Sequence, residues 1–415
     1  MMNIGYIGMS HLGLNMAVGT ALKGFNVFCY DLNKNIITNL KKNKLHVDEP
    51  KLCEYIKKKK KNLFFTNKID ELNNCELVFV SIDIDTDENG NSNFTILKNL
   101  LSIADKSLNK EIPLILMSQV FPGFSKKLNL EREYYYQVET LIFGQAIKRA
   151  TYPERIIVGT KNEKVSTKYS YFLKKFTKNI ILMNYQTAEL CKIAINCFLI
   201  STVTTTNLLA EICEKIDANW NKISESLKLD KRIGKYAYLK PGMGISGGNL
   251  ERDLTTISNL SKQIGSYEKV FNNWNENSHY RKNWVFEKLQ KNILIKKKNP
   301  IITIWGLAYK EDTHSIKNSP SISLLLKIFK YKFILYDPIV KKIRLKGSTF
   351  YSKNNLSESL INSDVLCIMN SSNIFKKVDY KLFKKIKCKM IIDPLSVLNK
   401  KSLSSELTYI SMGNK

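Results

Sequence analysis

No uninterrupted apolar run in this chain of 415 residues reaches the length of a bilayer span; the longest mostly apolar stretch, 193–200, is far too short. The opening residues, MMNIGYIGMS, lack the basic lead of a signal peptide and pass directly into a structural motif. Eight cysteines (29, 53, 75, 191, 197, 213, 367 and 388) form no CxxC pair, and most sit in apolar strand-like or helix-like contexts. They read as reduced core thiols, which excludes a disulfide framework and a metal site. The expectation is a cytoplasmic protein without a membrane partner. A concentrated basic stripe is also missing. The net charge is +28, yet the lysine runs 41–44, 57–61 and 296–298 are scattered, without interleaved aromatics or a nucleic-acid-binding module. The excess reads as solvated surface, so no nucleic acid is expected, and an anionic small substrate stays compatible.

What is present begins at residue 2. MNIGYIG is an apolar strand pattern ending in glycine; a helical pattern runs from about His11 to Lys23, and a second strand, FNVFCYD, closes at Asp31. Gly8-x-Ser10-x-x-Gly13 at the turn, with an acid ending the second strand, is the dinucleotide-binding layout. Pyrophosphate meets free backbone N–H groups and the positive end of the helix, while Asp31 accepts hydrogen bonds from ribose hydroxyls, favouring NAD. Ser10 occupies the place of the middle glycine. Further strands at 77–82, 113–118 and 155–159 alternate with helical stretches, which implies a doubly wound parallel sheet.

The texture changes at Gln186. QTAELCKIAINCFLISTVTTTNLLAEICEK has no proline or glycine and is apolar on most sides, so it must be buried, partly against a second subunit. Glu189, Lys192 and Asn196 share one face of that helix, and a lysine there needs an anionic neighbour or a shifted pKa. From Asn299 a second α/β pattern follows, with strands at 300–305, 333–336, 365–369 and 389–393. The fold class is therefore α/β, with two Rossmann-like doubly wound domains (1–185 and 299–415) joined by a long central helix and a helical dimerisation region (186–298).

Between helix and second α/β half lies PGMGISGGNLERD (241–253), whose four glycines suit a loop that closely approaches something bound. With GMSHLG and Asp31, SQVFPGFS (118–125), ETLIFGQAI and YPERIIVGT (139–160), AELCKIAIN (188–196), LDKRIG (229–234) and GLAYKEDTHSIKNSPS (306–321), it makes the chain resemble the UDP-glucose/GDP-mannose dehydrogenases along nearly its whole length. The resemblance implies a homodimeric, NAD-dependent oxidation of the CH–OH group of a nucleotide-sugar, typified by UDP-glucose 6-dehydrogenation in polysaccharide biosynthesis. It puts Lys192 and Asn196 at the developing oxyanion and catalytic water, Asp253 in proton transfer and as an ion-pair partner for Lys192, and Glu139 near the reacting carbon. It assigns Gly8, Ser10, Gly13, Asp31, Ser81 and Gln119 to the cofactor. Arg232, Tyr238, Gly244, Gly247, Lys310 and Lys317 fall to the nucleotide-sugar, Arg232 reaching phosphates across the subunit boundary.

The departures limit this. Where the family carries a nucleophilic cysteine, this chain has Asn249, and a carboxamide forms no thiohemiacetal or thioester. Gln119, Phe143, Glu251, Lys317 and Asn370–Ser371–Ser372 also differ from the family pattern. Three readings follow: an oxidoreductase without a covalent intermediate, a non-catalytic nucleotide-sugar-binding or partner protein that kept the fold, and a basic nucleic-acid-associated protein, which only the net charge favours.

Overall fold

The structure is a computed structural model that describes residues 1–87 and 90–413. The chain packs into two compact units, Met1–Ile195 and Asn196–Lys415.

The first unit is built on an eight-stranded sheet: β1 (Asn3–Ile7), β2 (Asn26–Tyr30), β3 (Leu63–Thr66), β4 (Leu77–Val80), β5 (Leu114–Leu116), β6 (Tyr134–Gln137), β7 (Ile156–Thr160) and β8 (Ile180–Asn184). The order is β3-β2-β1-β4-β5-β6-β7-β8. All neighbours are parallel except β6 and β7, which run antiparallel, so the sheet is mixed where the sequence pattern predicted a parallel one. The strands β3, β6 and β8 escaped the sequence reading. Burial on both faces explains the near-continuous apolar runs. On β4, Leu77 and Phe79 join the cluster containing Tyr6, Leu14 and Phe172, while Val78 and Val80 join the one containing Ile7, Leu101 and Leu116.

Helix α1 (His11–Leu22) packs tightly on this sheet, and glycine makes that possible. A Cβ on Gly13 would lie 1.8 Å from the Gly8 carbonyl oxygen and 2.6 Å from that of Ser81. Only a residue without a side chain lets α1 start against both the β1 turn and the end of β4. Gly8 itself has φ +93°, the left-handed region that favours glycine.

Helix α2 (Tyr185–Ile216) passes without a break through the boundary between the units. It is longer and more apolar than the 193–200 stretch alone implied. Among the described residues it is the one helix long and apolar enough to cross a bilayer, a test that the core helix of a soluble protein also passes.

The second unit carries helix α3 (Asn249–Gln263), helix α4 (Lys269–Lys282) and a five-stranded sheet. Its strands are β9 (Ile301–Trp305), β10 (Lys332–Tyr336), β13 (Val365–Ile368), β14 (Met390–Ile392) and β15 (Thr408–Ile410), all parallel in the order β10-β9-β13-β14-β15. A two-stranded ribbon, β11 (Lys342–Leu345) with β12 (Ser348–Tyr351), is separate. Helix α5 (Pro320–Lys327) starts with Pro320 in its first turn and Ser319 capping the Ser321 N–H, the expected helix-start chemistry. The buried indole of Trp305 stacks on Phe375 and donates to Ser359 Oγ at 2.7 Å.

Gly13→Ala tests the close approach at α1. The added methyl must push backbone apart on two sides, so urea unfolding is expected to show a loss of about 2–3 kcal/mol. An unchanged midpoint would mean that α1 shifts freely on the sheet.

Candidate functional site

In the first unit, β1 and β4 are neighbours at the point where the strand order reverses, the place where open α/β sheets bind ligands. Gly8 leaves β1, and its N–H is held by the Tyr30 carbonyl at 2.8 Å. Asp31 follows β2 and is partly exposed; its carboxylate accepts from the Met9 N–H at 2.7 Å and the Asn33 N–H at 2.8 Å. Each oxygen keeps a lone pair for a ligand hydroxyl. Ser10 is the N-cap of α1, and its own side chain makes no cap bond; Ser10 Oγ instead accepts from the Asp83 N–H at 2.9 Å. Ser81 is fully buried at the end of β4 and donates to the Ile7 carbonyl at 3.4 Å. Gln119 is buried after β5. The turn, the helix end and the acid thus fit a dinucleotide.

The second unit repeats the topology with a different outcome. Gly306 (φ +91°) leaves β9, and Asp337 ends β10. Asp337 is 1 % exposed, and its carboxylate accepts from Leu307, Ala308, Ile339 and Val340 N–H groups. The acid is spent on its own turn, where Asp31 is not.

Sequence reasoning missed a cluster at the α1 end. Glu49, remote in sequence, accepts from His11 Nε2 at 3.0 Å, from the Gly144 N–H at 3.0 Å and from the Ala146 N–H at 2.8 Å. Burial alone would raise the Glu49 carboxyl, but His11 and the two N–H groups outweigh it and hold its pKa below the usual carboxylate value. The Phe143 ring lies over His11 with centroids 4.1 Å apart. No motif signals Glu49, because its partners are backbone groups 95 and 97 residues away.

Helix α2 begins with buried ions. Glu189, 0 % exposed, accepts from the Gly123 N–H at 2.5 Å and the Ser125 N–H at 2.7 Å, so it anchors the SQVFPGFS segment. Burial raises its carboxyl against those donors. Lys192, also buried, meets Glu139 at 2.8 Å, and the other Glu139 oxygen accepts from the Leu141 N–H at 2.9 Å.

Asp253 is 1 % exposed in the second unit, at the start of the second turn of α3. Its carboxylate accepts from the Asn196 amide and from Arg252 Nε at 3.3 Å. Cys197 lies near enough that burial, reinforced by the Asp253 charge, pushes its thiol up to about 11. It is not a thiolate at neutral pH.

The glycine segment is a loop that turns into helix at Asn249, the exposed first residue of α3. Gly244 and Gly247 have φ +76° and +78°. A Cβ on Gly244 would meet the Ser278 carbonyl at 2.5 Å, and one on Gly247 the Tyr309 ring at 2.8 Å. Lys317 packs its aliphatic stem and amine against Gly248. Lys310 Nζ sits 5.7 Å from the centre of the Tyr309 ring. Asn318 donates to the Ile245 and Gly247 carbonyls at 3.4 Å and accepts from buried Lys282, whose amine is lowered by burial. Lys282 and Asn318 lie outside the sequence's candidates; their roles arise from packing alone. Arg232 is 88 % exposed at its side chain and pairs with Asp230 at 2.6 Å, and Tyr238 is half-exposed.

Comparison with known proteins decides the family. Three models of one family match in order: the UDP-glucose/GDP-mannose dehydrogenase NAD binding domain at residues 2–177, the central domain at 186–278 and the UDP binding domain at 303–400. The chain belongs to the UDP-glucose/GDP-mannose dehydrogenase family. NAD is the cofactor of its first domain. The chain is 26 % identical to the UDP-glucose 6-dehydrogenase of Rickettsia typhi over all of both chains. It is also 26 % identical to that of Bacillus subtilis, over 82 % of this chain and 76 % of that one. Among solved structures, a UDP-glucose dehydrogenase from Pyrobaculum islandicum superposes with a TM-score of 0.87 at 19 % identity, covering 99 % of this chain and 97 % of that one. The UDP-D-ManNAc dehydrogenase of Pyrococcus horikoshii gives 0.86 at 21 % identity, with 99 % of both covered. These two share the fold.

The two strand-end acids give a contrast that calorimetry and urea unfolding can read. Asp31→Ala is expected to weaken NAD binding by about tenfold and to cost about 1 kcal/mol of stability or less. Asp337→Ala leaves buried N–H groups unpaired and is expected to cost about 3 kcal/mol or more. Equal stability losses for the two would contradict this assignment.

Proposed function

We propose that this chain is an NAD-dependent oxidoreductase that acts on the CH–OH group of a nucleotide-sugar, as a UDP-glucose 6-dehydrogenase does, without a covalent thioester. The observation that carries the reading is the retention of a buried ionic apparatus, Lys192 with Glu139 and Asp253 with Asn196. Buried charges cost stability and persist when they do chemistry as readily as when they hold structure. Bound NAD supplies the hydride acceptor. The chain supplies the rest. Gly8, Ser10 and Gly13 shape the phosphate turn, Asp31 holds the ribose, and Ser81 and Gln119 border the cofactor. Lys192 stabilises negative charge on the reacting oxygen, Glu139 keeps that amine placed, and Asn196 holds water. Asp253 takes up the proton.

The glycine loop 242–248 cradles the nucleotide-sugar, with Tyr238, Lys310 and Lys317 beside it and Arg232 reaching the phosphates of the partner's site. Exposed Phe198, Leu208, Ile212 and Ile216 on α2 support a homodimer through this helix. We read the protein as cytoplasmic and unattached to membrane, because Glu189, Lys192, Asn207 and Glu211 on α2 are buried. Light scattering at micromolar concentration is expected to give twice the chain mass; a strict monomer would remove Arg232 from the site.

Asn249 has no nucleophilic electron pair to offer an aldehyde, and Cys197 is held as a thiol. The first product is therefore the aldehyde or its hydrate; an acid requires water to add before a second hydride leaves. The decisive assay incubates the protein with NAD and a panel of nucleotide-sugars, UDP-glucose included, and follows NADH and product mass. Turnover that survives thiol alkylation, with no sugar attached to the chain after a quench, is the expected result. A trapped cysteine adduct would overturn it. Binding of nucleotide-sugar with no NADH would favour the non-catalytic alternative, for which Phe143 over His11 and the amide at 249 speak.

A further inference from the structure

The end of α1 holds an anion that the sequence did not announce. Asp83 is tied to the start of α1 twice: its N–H donates to Ser10 Oγ at 2.9 Å, and its Oδ2 accepts from the Leu12 N–H at 3.2 Å. The N-cap side chain makes no bond to its own helix, so the Asp83 carboxylate serves the first turn in its place. Asp83 is exposed, three residues beyond β4, while Ile82 and Ile84 on either side are buried and fix the segment to the sheet. Alternation along the chain thus aims the carboxylate at the helix end. A negative charge there is stabilised by the helix dipole and by the N–H it accepts.

The same N–H groups and the same dipole are what a dinucleotide pyrophosphate needs. Two anions cannot share one donor at the end of one helix without repulsion. Binding must therefore be an exchange. We propose that Asp83 is a resident anion that occupies the pyrophosphate position of α1, that NAD must displace it, and that Asp83 thereby sets the cofactor affinity of this chain. The proposal rests on the assignment of NAD to the first domain. The contact is suited to displacement: its length, 3.2 Å, exceeds that of a strong charge-assisted bond, and the carboxylate can turn out to solvent. The apparent affinity is the intrinsic one reduced by the fraction of time the helix end is vacated.

The test compares wild type with Asp83→Asn, Asp83→Ala and, as a control, Asp85→Asn. Asp85 is also exposed, and the contact recorded for it is its carbonyl accepting from Asn93, away from α1. Calorimetry with NAD and with ADP-ribose, which keeps the pyrophosphate, is expected to show roughly three- to tenfold tighter binding for both Asp83 variants. Adenosine, which lacks phosphate, and the Asp85→Asn control should stay within about twofold of wild type. A second readout does not depend on cofactor turnover. Without ligand, Asp83→Ala should melt a degree or two lower than wild type, because the helix end loses its anion, and the difference should vanish when both are saturated with NAD. Unchanged or weaker ADP-ribose binding by Asp83→Asn would overturn the proposal while leaving the cofactor assignment intact. Failure of every form, wild type included, to bind NAD would sink the cofactor assignment and this proposal together.

Discussion

The structure depends on one constraint, which is that every ion carried by the apolar helix α2 must find a partner when it is buried. Each does so differently. Glu189 is met by the N–H groups of Gly123 and Ser125, Lys192 by the Glu139 carboxylate, and Glu211 by Arg281 at 3.1 Å, while the neutral amide of Asn196 donates to Asp253. The desolvation cost of such groups is several kcal/mol each unless hydrogen bonds replace the lost water. Segments far from most of α2 in sequence are consequently held at defined places: the 118–125 loop, the 139–145 segment and α3 at Asp253. Those are the segments that carry the residues of the family resemblance.

The two Rossmann-like halves show how one topology yields different sites. Both place a glycine of positive φ after the first strand and an acid after the second. In the second half Asp337 is buried beneath four backbone donors and completes its own turn. In the first half Asp31 accepts two and stays partly open. Fold alone does not distinguish them; the count of internal donors does. The glycine segment of the second unit follows the same logic in reverse, because Ser278 and Tyr309 fill the space that side chains at 244 and 247 would need. Glycine there serves protein packing as directly as ligand approach.

Much of this was legible in the residues themselves. The β-turn-α-β order, the acid at 31, the long apolar helix and the second α/β half all follow from local periodicity and turn chemistry, which act over a few residues. The order and type of the long elements survived in the structure for that reason. Short strands such as Leu63–Thr66 and Tyr134–Gln137 were not legible, because four residues bear too little pattern and their pairing is decided by neighbours far along the chain. The antiparallel step between β6 and β7 is likewise a matter of connection, not composition.

The sequence by itself determined which groups would be costly to bury, Glu189, Lys192 and Asp253 among them, and that residue 249 offers no nucleophile. Only the tertiary structure decided who answers each charge. Lys192 meets Glu139, 53 residues away, and Glu49 binds His11 together with the N–H groups of 144 and 146. It also decided that the start of α1 is held by Asp83. The reason is physical: solvation cost is a property of a side chain and can be read from its type, whereas the partner that offsets it depends on distances of about 3 Å that only the folded chain defines.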